Sequence, residues 1–260
     1  MLKFLTKAII FLGIVLGAIT FVYIYDLYQE IKDDIDSVVN YNPKQSTQFF
    51  DKNGKLLANT FKDENREYVN YDDIPARVIE GLVAIEDTQF FEHFGVNPDA
   101  ISRAVIKNIQ SGGYSEGAST LTQQLIKVLL LSREKKIIRK VKEALLAIRL
   151  ETVLTKEEIL ERYLNHVYFG HGYYGVKTAA KGYFKKNLYE LTLKEIAILV
   201  GLPRAPSFYD PTKNLQVSLA RANQVITRMH TLGWINNEQF EESINETPNI
   251  YNQTLTQNIA

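Results

Sequence analysis

Along most of the chain, apolar and polar positions alternate with the spacing of helices, but the first apolar block is different. From Ala8 to Tyr25 the run AIIFLGIVLGAITFVYIY carries no charge. As a helix it spans about 27 Å at about 1.5 Å per residue, close to the ~30 Å hydrocarbon core of a bilayer. Phe4 and Leu5 can extend it, Lys3 and Lys7 precede it, and Asp26, Glu30, Lys32, Asp33, Asp34 and Asp36 follow it. The pattern predicts a transmembrane anchor over residues 8–25, with residues 1–7 in the cytoplasm and the remaining chain outside. A cleaved signal peptide is the rival; the run is long for one, and no A-x-A site follows it. Gly13 and Gly17 form a GxxxG pair that could mark a helix dimer face, although two glycines in an apolar run are more often incidental. Residues 26–45 are polar and helix-prone and read as a stalk.

Beyond the stalk, Thr47 to Asp51 and Lys55 to Phe61 flank Asn53-Gly54, a dipeptide that favours a tight hairpin turn. Nearly everything afterwards reads as helix. Pro75 opens a run through Ile85. Pro98, behind Asn97 as N-cap, opens another that stops at Gly112-Gly113. Tyr114 to Ala118 is a small-residue loop, followed by helices from about Thr120 to Leu131 and from about Lys135 to Leu154. Thr155 with Glu158 and Thr192 with Glu195 make capping boxes for helices near 156–167 and 193–202. A long helix from Gln216 to Leu232 ends at Gly233, and Asn237 opens a short last one. Residues 248–260 read as a loose tail.

Composition narrows the chemistry. Thirty Lys and Arg balance thirty Asp and Glu, so no overall field recruits nucleic acid. There is no cysteine, which excludes disulfides, thiolate catalysis and cysteine zinc sites. Three local patterns remain. Glu86-Asp87 ends an apolar helix and precedes Phe90-Phe91; partial desolvation there makes a carboxylate a better proton acceptor near neutral pH. The bland alternative is a solvated helix terminus. From Lys127 to Glu143 seven Lys or Arg stand against two Glu. Lys136, Arg139, Lys140 and Glu143 share one helix face, suited to a phosphate or pyrophosphate, or simply solvated. Gly117 to Gln124 (GASTLTQQ) leads into a helix N-terminus lined with hydroxyls and amides, which could bind an anion or merely be capped by Ser119.

Some matches carry little. Gly170 to Gly175 fits GxGxxG, but a helix precedes it where a dinucleotide site needs a strand. Ser132 and Lys135 fit S-x-x-K without the triplets that accompany it in transpeptidases. The four histidines lack zinc-helix spacing.

Taken together, these segments resemble the peptidoglycan glycosyltransferase family (glycosyltransferase family 51), the module that also opens class A penicillin-binding proteins. The resemblance runs from about Thr47 to Ile244. It rests on E-D-x-x-F-x-x-H-x-G (Glu86, Asp87, Phe90, His93, Gly95), G-x-S-T-x-x-Q-Q (Gly117, Ser119, Thr120, Gln123, Gln124) and R-K-x-x-E (Arg139, Lys140, Glu143). The I-L-E-x-Y-L-N helix from Ile159 to Asn165 follows, then R-x-x-x-V-x-x-x-M (Arg221, Val225, Met229).

The resemblance implies a mainly α, lysozyme-like two-lobed domain over 46–247, with a small β-hairpin near the membrane and one transmembrane helix before it. It implies polymerisation of lipid II into β-1,4-linked glycan strands with release of undecaprenyl pyrophosphate. Glu86 is then the general base, and Glu143 with Arg139 and Lys140 stabilises the leaving pyrophosphate, often with a divalent cation, Mg or Mn, at Glu143. Asp87, Arg103, Ser119, Thr120, Gln123, Gln124, Lys127, Lys135 and Asn165 complete the implied substrate contacts. No organic cofactor is implied. Implied partners are lipid II, the lipid-linked glycan, the membrane, a moenomycin-type inhibitor and other cell-wall synthesis proteins. Departures from the family pattern are Val128 where Asn is usual, Asn97 where Asp is frequent, and Lys185 where Gly is usual. The chain stops at Ala260 without a transpeptidase segment, which reads as a monofunctional enzyme in preference to the front of a bifunctional one. The rival readings are a lysozyme-like glycan-cleaving enzyme, which has no use for the cations around Glu143, and an inactive anchored scaffold.

Overall fold

In the computed structural model, which describes residues 2–40, 47–53, 56–60, 65–113, 117–131 and 136–251, the apolar run is part of one longer helix, α1 (Leu2–Ile31). Its thirty residues extend about 45 Å at 1.5 Å per residue. The stretch from Phe4 is long and apolar enough to cross a membrane, and its apolar side chains, among them Phe11, Ile14 and Phe21, face outward. The expected stalk is not detached from the domain. Leu27 and Ile31 at the end of α1, and Ile35 and Val38 in α2 (Asp34–Val39), are all buried. Their spacing of four, four and three puts them on one helical face. The intervening acids, which gave the segment its polar look, occupy the other face. Arg162 Nη2 donates to the Val39 carbonyl at 3.0 Å, and Lys142 Nζ lies 3.4 Å from Glu30 Oε1.

The expected hairpin is present: β1 (Thr47–Phe50) pairs antiparallel with β2 (Leu56–Thr60), Thr47 opposite Thr60, with a bulge between Phe49 and Phe50. Asn53 N–H donates to Asp51 Oδ1 at 2.8 Å at the turn; Gly54 lies outside the described residues. A second, two-residue ladder pairs β3 (Asn65–Arg66) parallel with β4 (Tyr173–Tyr174), a pairing that the sequence pattern does not predict.

The remaining helices are α3 (Ala76–Glu86), α4 (Pro98–Ser111), α5 (Leu121–Leu129), α6 (Lys136–Leu150), α7 (Lys156–His166), α8 (Val176–Phe184), α9 (Leu193–Gly201), α10 (Leu215–Thr231) and α11 (Asn237–Asn245). The domain is mainly α, as expected. Both expected capping boxes form at Thr155 and Thr192, and two more form at Thr120 and Asn236. Each ties a side-chain oxygen to a helix-start N–H that would otherwise lack a partner.

The helices gather into two sets. In one, α3 packs on α9 and α10, and α10 also packs on α11; in the other, α5 packs on α6 and α7, with α1 and α2 against α6. α8 touches both α7 and α9. Helix α9 is buried from Lys194 to Gly201, as its nearly unbroken apolar sequence requires. Leu82, Leu125, Leu146 and Leu199, from four different helices, are fully buried, each contributing about 1.5–3 kcal/mol. Lys194, a nearly fully buried lysine, donates to Asn223 Oδ1 at 2.5 Å and to the Ser243 and Ile244 carbonyls at 3.0 Å, clamping the end of α11 to α9 and α10.

Candidate active site

The two acids of the Glu86-Asp87 pair have separate fates. Glu86 is the last residue of α3 and its side chain is 10% exposed. Gln124 Nε2, on α5, donates to its Oε2 at 3.1 Å, and Arg221 Nη2, on α10, donates to its Oε1 at 3.0 Å. Tyr163 OH, on α7, in turn donates to Gln124 Oε1 at 3.0 Å and so sets the orientation of that amide. Burial raises the Glu86 carboxyl above its ordinary value of 4.5; Arg221, Gln124 and Arg204 pull it back only in part. A carboxylate in this condition accepts a proton more readily than a solvated one.

Asp87 turns the other way. Its Oδ2 accepts the Leu121 N–H at 3.0 Å and the His93 Nε2–H at 2.9 Å, so this acid is the anion at the start of α5. The proton must sit on His93 Nε2, because a carboxylate oxygen only accepts. Behind it, Thr122 Oγ1 donates to Glu151 Oε1 at 2.5 Å, and Lys156 Nζ bonds Glu151 Oε2 and the His93 carbonyl, both at 2.7 Å.

The first motif therefore divides by task. Phe90 fills the core. Gly95, at φ +84°, passes so close to α6 that a Cβ would stand 2.5 Å from the Ala147 carbonyl. Its own carbonyl accepts from Thr120 Oγ1 at 2.6 Å.

At the start of α5 the cap is Thr120, not Ser119. Thr120 Oγ1 accepts from Gln123 N–H at 3.1 Å, and Gln123 Oε1 accepts from Thr120 N–H at 3.0 Å. Thr120 and Gln123 are buried and engaged within the protein. Ser119 is left to bind across to α6: Lys140 Nζ donates to Ser119 Oγ at 2.6 Å and to Glu143 Oε2 at 2.5 Å. Glu143 is buried, and Arg139 Nε stands 3.2 Å from its Oε1. That last pair is close but not aligned as a hydrogen bond, so Arg139 Nε–H and Glu143 Oε1 keep bonding capacity of their own.

Glu143 is a poor fit to a cation held by the protein alone. Both of its oxygens face cations, and no cluster of three metal-ligating side chains exists among the described residues. The donor set suits an anion.

Helix α5 and the residues that enter it thus stand between the two acids, with Gln124 on Glu86 and Ser119, just before the cap, on Lys140 of the Lys140–Glu143 pair. Lys127 lies exposed one turn beyond Gln124, on the same side of α5. Val128 is also exposed. Arg103 is exposed on α4, and Lys135 lies outside the described residues. Asn165 is fully buried: its amide bonds Val69 N–H, the Val69 carbonyl and the Glu161 carbonyl at 2.8–2.9 Å, fastening residues 65–70 to α7. In the sequence Arg221 stands out only as part of a motif. Its signal was the spacing of Arg221, Val225 and Met229 on one helical face, the two apolar members of which are buried.

A family model described as Transglycosylase matches residues 53–230. The chain is 43% identical over 237 residues to penicillin-binding protein 1A of Aquifex aeolicus, covering 90% of this chain and 32% of that protein. It is 41% identical to penicillin-binding protein 1A of Escherichia coli, covering 87% of this chain and 27% of that protein. It therefore spans about a third or less of the length of these curated relatives. Among solved structures, penicillin-binding protein 1A from Haemophilus influenzae aligns with a TM-score of 0.49 and 26% identity, over 83% of this chain and 22% of that one.

Proposed function

Because this chain belongs to the transglycosylase family, we propose that it polymerises lipid II into β-1,4-linked glycan and releases undecaprenyl pyrophosphate. Glu86 takes the proton of the acceptor GlcNAc 4-hydroxyl as that oxygen attacks C1 of the donor MurNAc. The bond from C1 to the pyrophosphate oxygen breaks with inversion, and its electron pair leaves with the pyrophosphate. Lys140 and Arg139 stand where that negative charge accumulates, and Glu143 holds them in place. Gln124 orients Glu86 through its own bond to Tyr163. A positioned base contributes about 10²- to 10⁴-fold, and preorganised charge at the leaving group acts on the same transition state.

One observation carries the proposal: two buried glutamates, one bonded by Gln124 of α5 and one by the lysine that also bonds Ser119 before α5, sit in different surroundings, the first against a single arginine and the second against a lysine and an arginine. Glu86 has a raised carboxyl, and Glu143 is flanked by two cations on its own helix. A glycan hydrolase needs a general acid facing its glycosidic oxygen and has no task for that cation pair.

The lipid nature of the substrate fits two apolar surfaces. Helix α1 is the anchor, with Lys3 and Lys7 inside and the catalytic domain outside the cytoplasmic membrane. Ile101, Val105, Ile106 and Ile109 of α4, with Phe91 and Phe94 before it, expose their side chains to solvent and suit contact with lipid. A moenomycin-type inhibitor would occupy the cationic side by Lys140.

The deciding experiment is lipid II polymerisation in detergent by the parent chain, Glu86→Gln and Glu143→Gln. Lysozyme-sensitive strands from the parent, with at least about a hundredfold loss in Glu86→Gln, are expected. Undiminished activity of folded Glu86→Gln would remove it as the base. A parent inert toward lipid II would favour the scaffold reading.

A further inference from the structure

Arg221 reaches Glu86 from a helix that the sequence places 135 residues away, and several features hold it there. Val225 and Met229, one and two turns on, are fully buried and fix this face of α10 against α3. Helix α9 is cut back at Gly201 to admit the arginine stem: a Cβ there would stand 2.9 Å from Arg221 Cγ. The Tyr209 ring lies 5.7 Å from the guanidinium carbon, and Arg221 Nη1 donates to Gln224 Oε1 at 3.2 Å. The Arg221 and Glu86 side chains are 6% and 10% exposed.

A buried ion pair of this kind is a weak source of stability, because desolvating both partners offsets most of their attraction. The pair instead has a consequence for chemistry. A general base must be ionised before it can accept a proton, and burial alone works against that. The groups facing Glu86 are Arg221 from α10, Arg204 from the segment after α9, Gln124 from α5 and Tyr163 behind it from α7. Arg204 is exposed and solvent-screened. Gln124 is neutral. Arg221 is the buried cation in direct contact.

We infer that Arg221 is a positioning residue for the reaction: it holds the Glu86 carboxylate in one orientation and in its charged form until the acceptor hydroxyl arrives. The inference rests on the reading of Glu86 as the general base. It assigns a task to the fifth motif, which contributes no group to the pyrophosphate side.

The test is the pH profile of kcat/KM for lipid II polymerisation by the full chain in detergent. It compares the parent with Arg221→Gln, Arg221→Lys and Gly201→Ala, and thermal melting verifies folding. Losing the guanidinium removes the influence that lowers the Glu86 carboxyl, so the acid limb moves to higher pH. In Arg221→Gln it is expected to rise by about one pH unit or more, with a loss of about tenfold or more on the limb that shrinks as pH rises. Arg221→Lys should regain part of this. Gly201→Ala, which displaces the arginine without removing its charge, should shift the limb the same way by less.

A loss that is equal at every pH, with the limb unmoved in folded Arg221→Gln, would overturn the inference and leave a merely structural ion pair. If Arg221→Gln does not fold, an unmoved limb in both other variants overturns it. Failure of the base reading would look different: Glu86→Gln itself would stay active.

Discussion

The carboxylate of Asp87 accepts the backbone N–H of Leu121 at 3.0 Å, so the residue next to the proposed base holds the first turn of the helix that carries Gln124. With His93 on the same oxygen, Asp87 oxygen Oδ2 serves two donors. An asparagine oxygen could face the same two donors but without the negative charge that strengthens both bonds, and its NH₂ replaces the second carboxylate oxygen with a donor. Asp87→Asn is expected to lose about 1–3 kcal/mol of stability, seen as a lower melting temperature. Its kcat should fall as well, because Gln124 moves with α5. An unchanged melting curve would show that Leu121 N–H and His93 find other partners.

Gly95 is the junction of three segments, with its carbonyl on Thr120, its α-carbon against α6 and its φ at +84°. Gly95→Ala combines a left-handed backbone with a methyl 2.5 Å from main-chain atoms that cannot rotate away. The expected cost is about 3 kcal/mol or more, from strain plus displacement of α6. Chemical denaturation of the purified variant measures it, and a cost below about 1 kcal/mol would mean that α6 shifts freely.

His166 sits buried in α7, its Nδ1–H donating to the Arg162 carbonyl at 2.8 Å, with Arg66 and Arg162 nearby. Burial, above all, pushes it down to about 4 from 6.5. Between pH 6.5 and about 4 the unfolded chain therefore binds a proton that the folded chain refuses. Stability is therefore present above 6.5 and lost as pH falls, by about 1.4 kcal/mol per pH unit. The parent's advantage over His166→Asn is expected to shrink by about 2 kcal/mol between pH 7 and pH 5. Parallel stability curves for the two proteins would exclude His166 as the source.

Local chemistry was the legible part. Helix starts at Pro98, Thr155 and Thr192 follow from side chains that bond within three residues, and the pairing of β1 with β2 follows from one turn dipeptide. The Arg139, Lys140 and Glu143 cluster was visible because helical spacing alone brings it together. Contacts between distant segments were not. Nothing near Glu86 announces Arg221, nothing near Asp87 announces the N–H of Leu121, and β3 meets β4 across more than a hundred residues of chain. The acids of 26–36 masked the buried face of Leu27, Ile31, Ile35 and Val38. Motif membership could not separate groups that face substrate from Thr120, Gln123 and Asn165, whose polar atoms are engaged within the protein.

The packing of Ile31 and Ile35 into the domain, with Glu30 against Lys142, would give the proposed anchor a mechanical role. With α1 upright in a bilayer, the protein stands on a rigid post and not on a leash. The residue beside Lys142 is Glu143. The height of Arg139 and Lys140 above the lipid headgroups would then be set by the number of helical turns between the last membrane-embedded residue and Ile31. One residue inserted there would raise the domain by about 1.5 Å and rotate it by about 100° relative to the membrane.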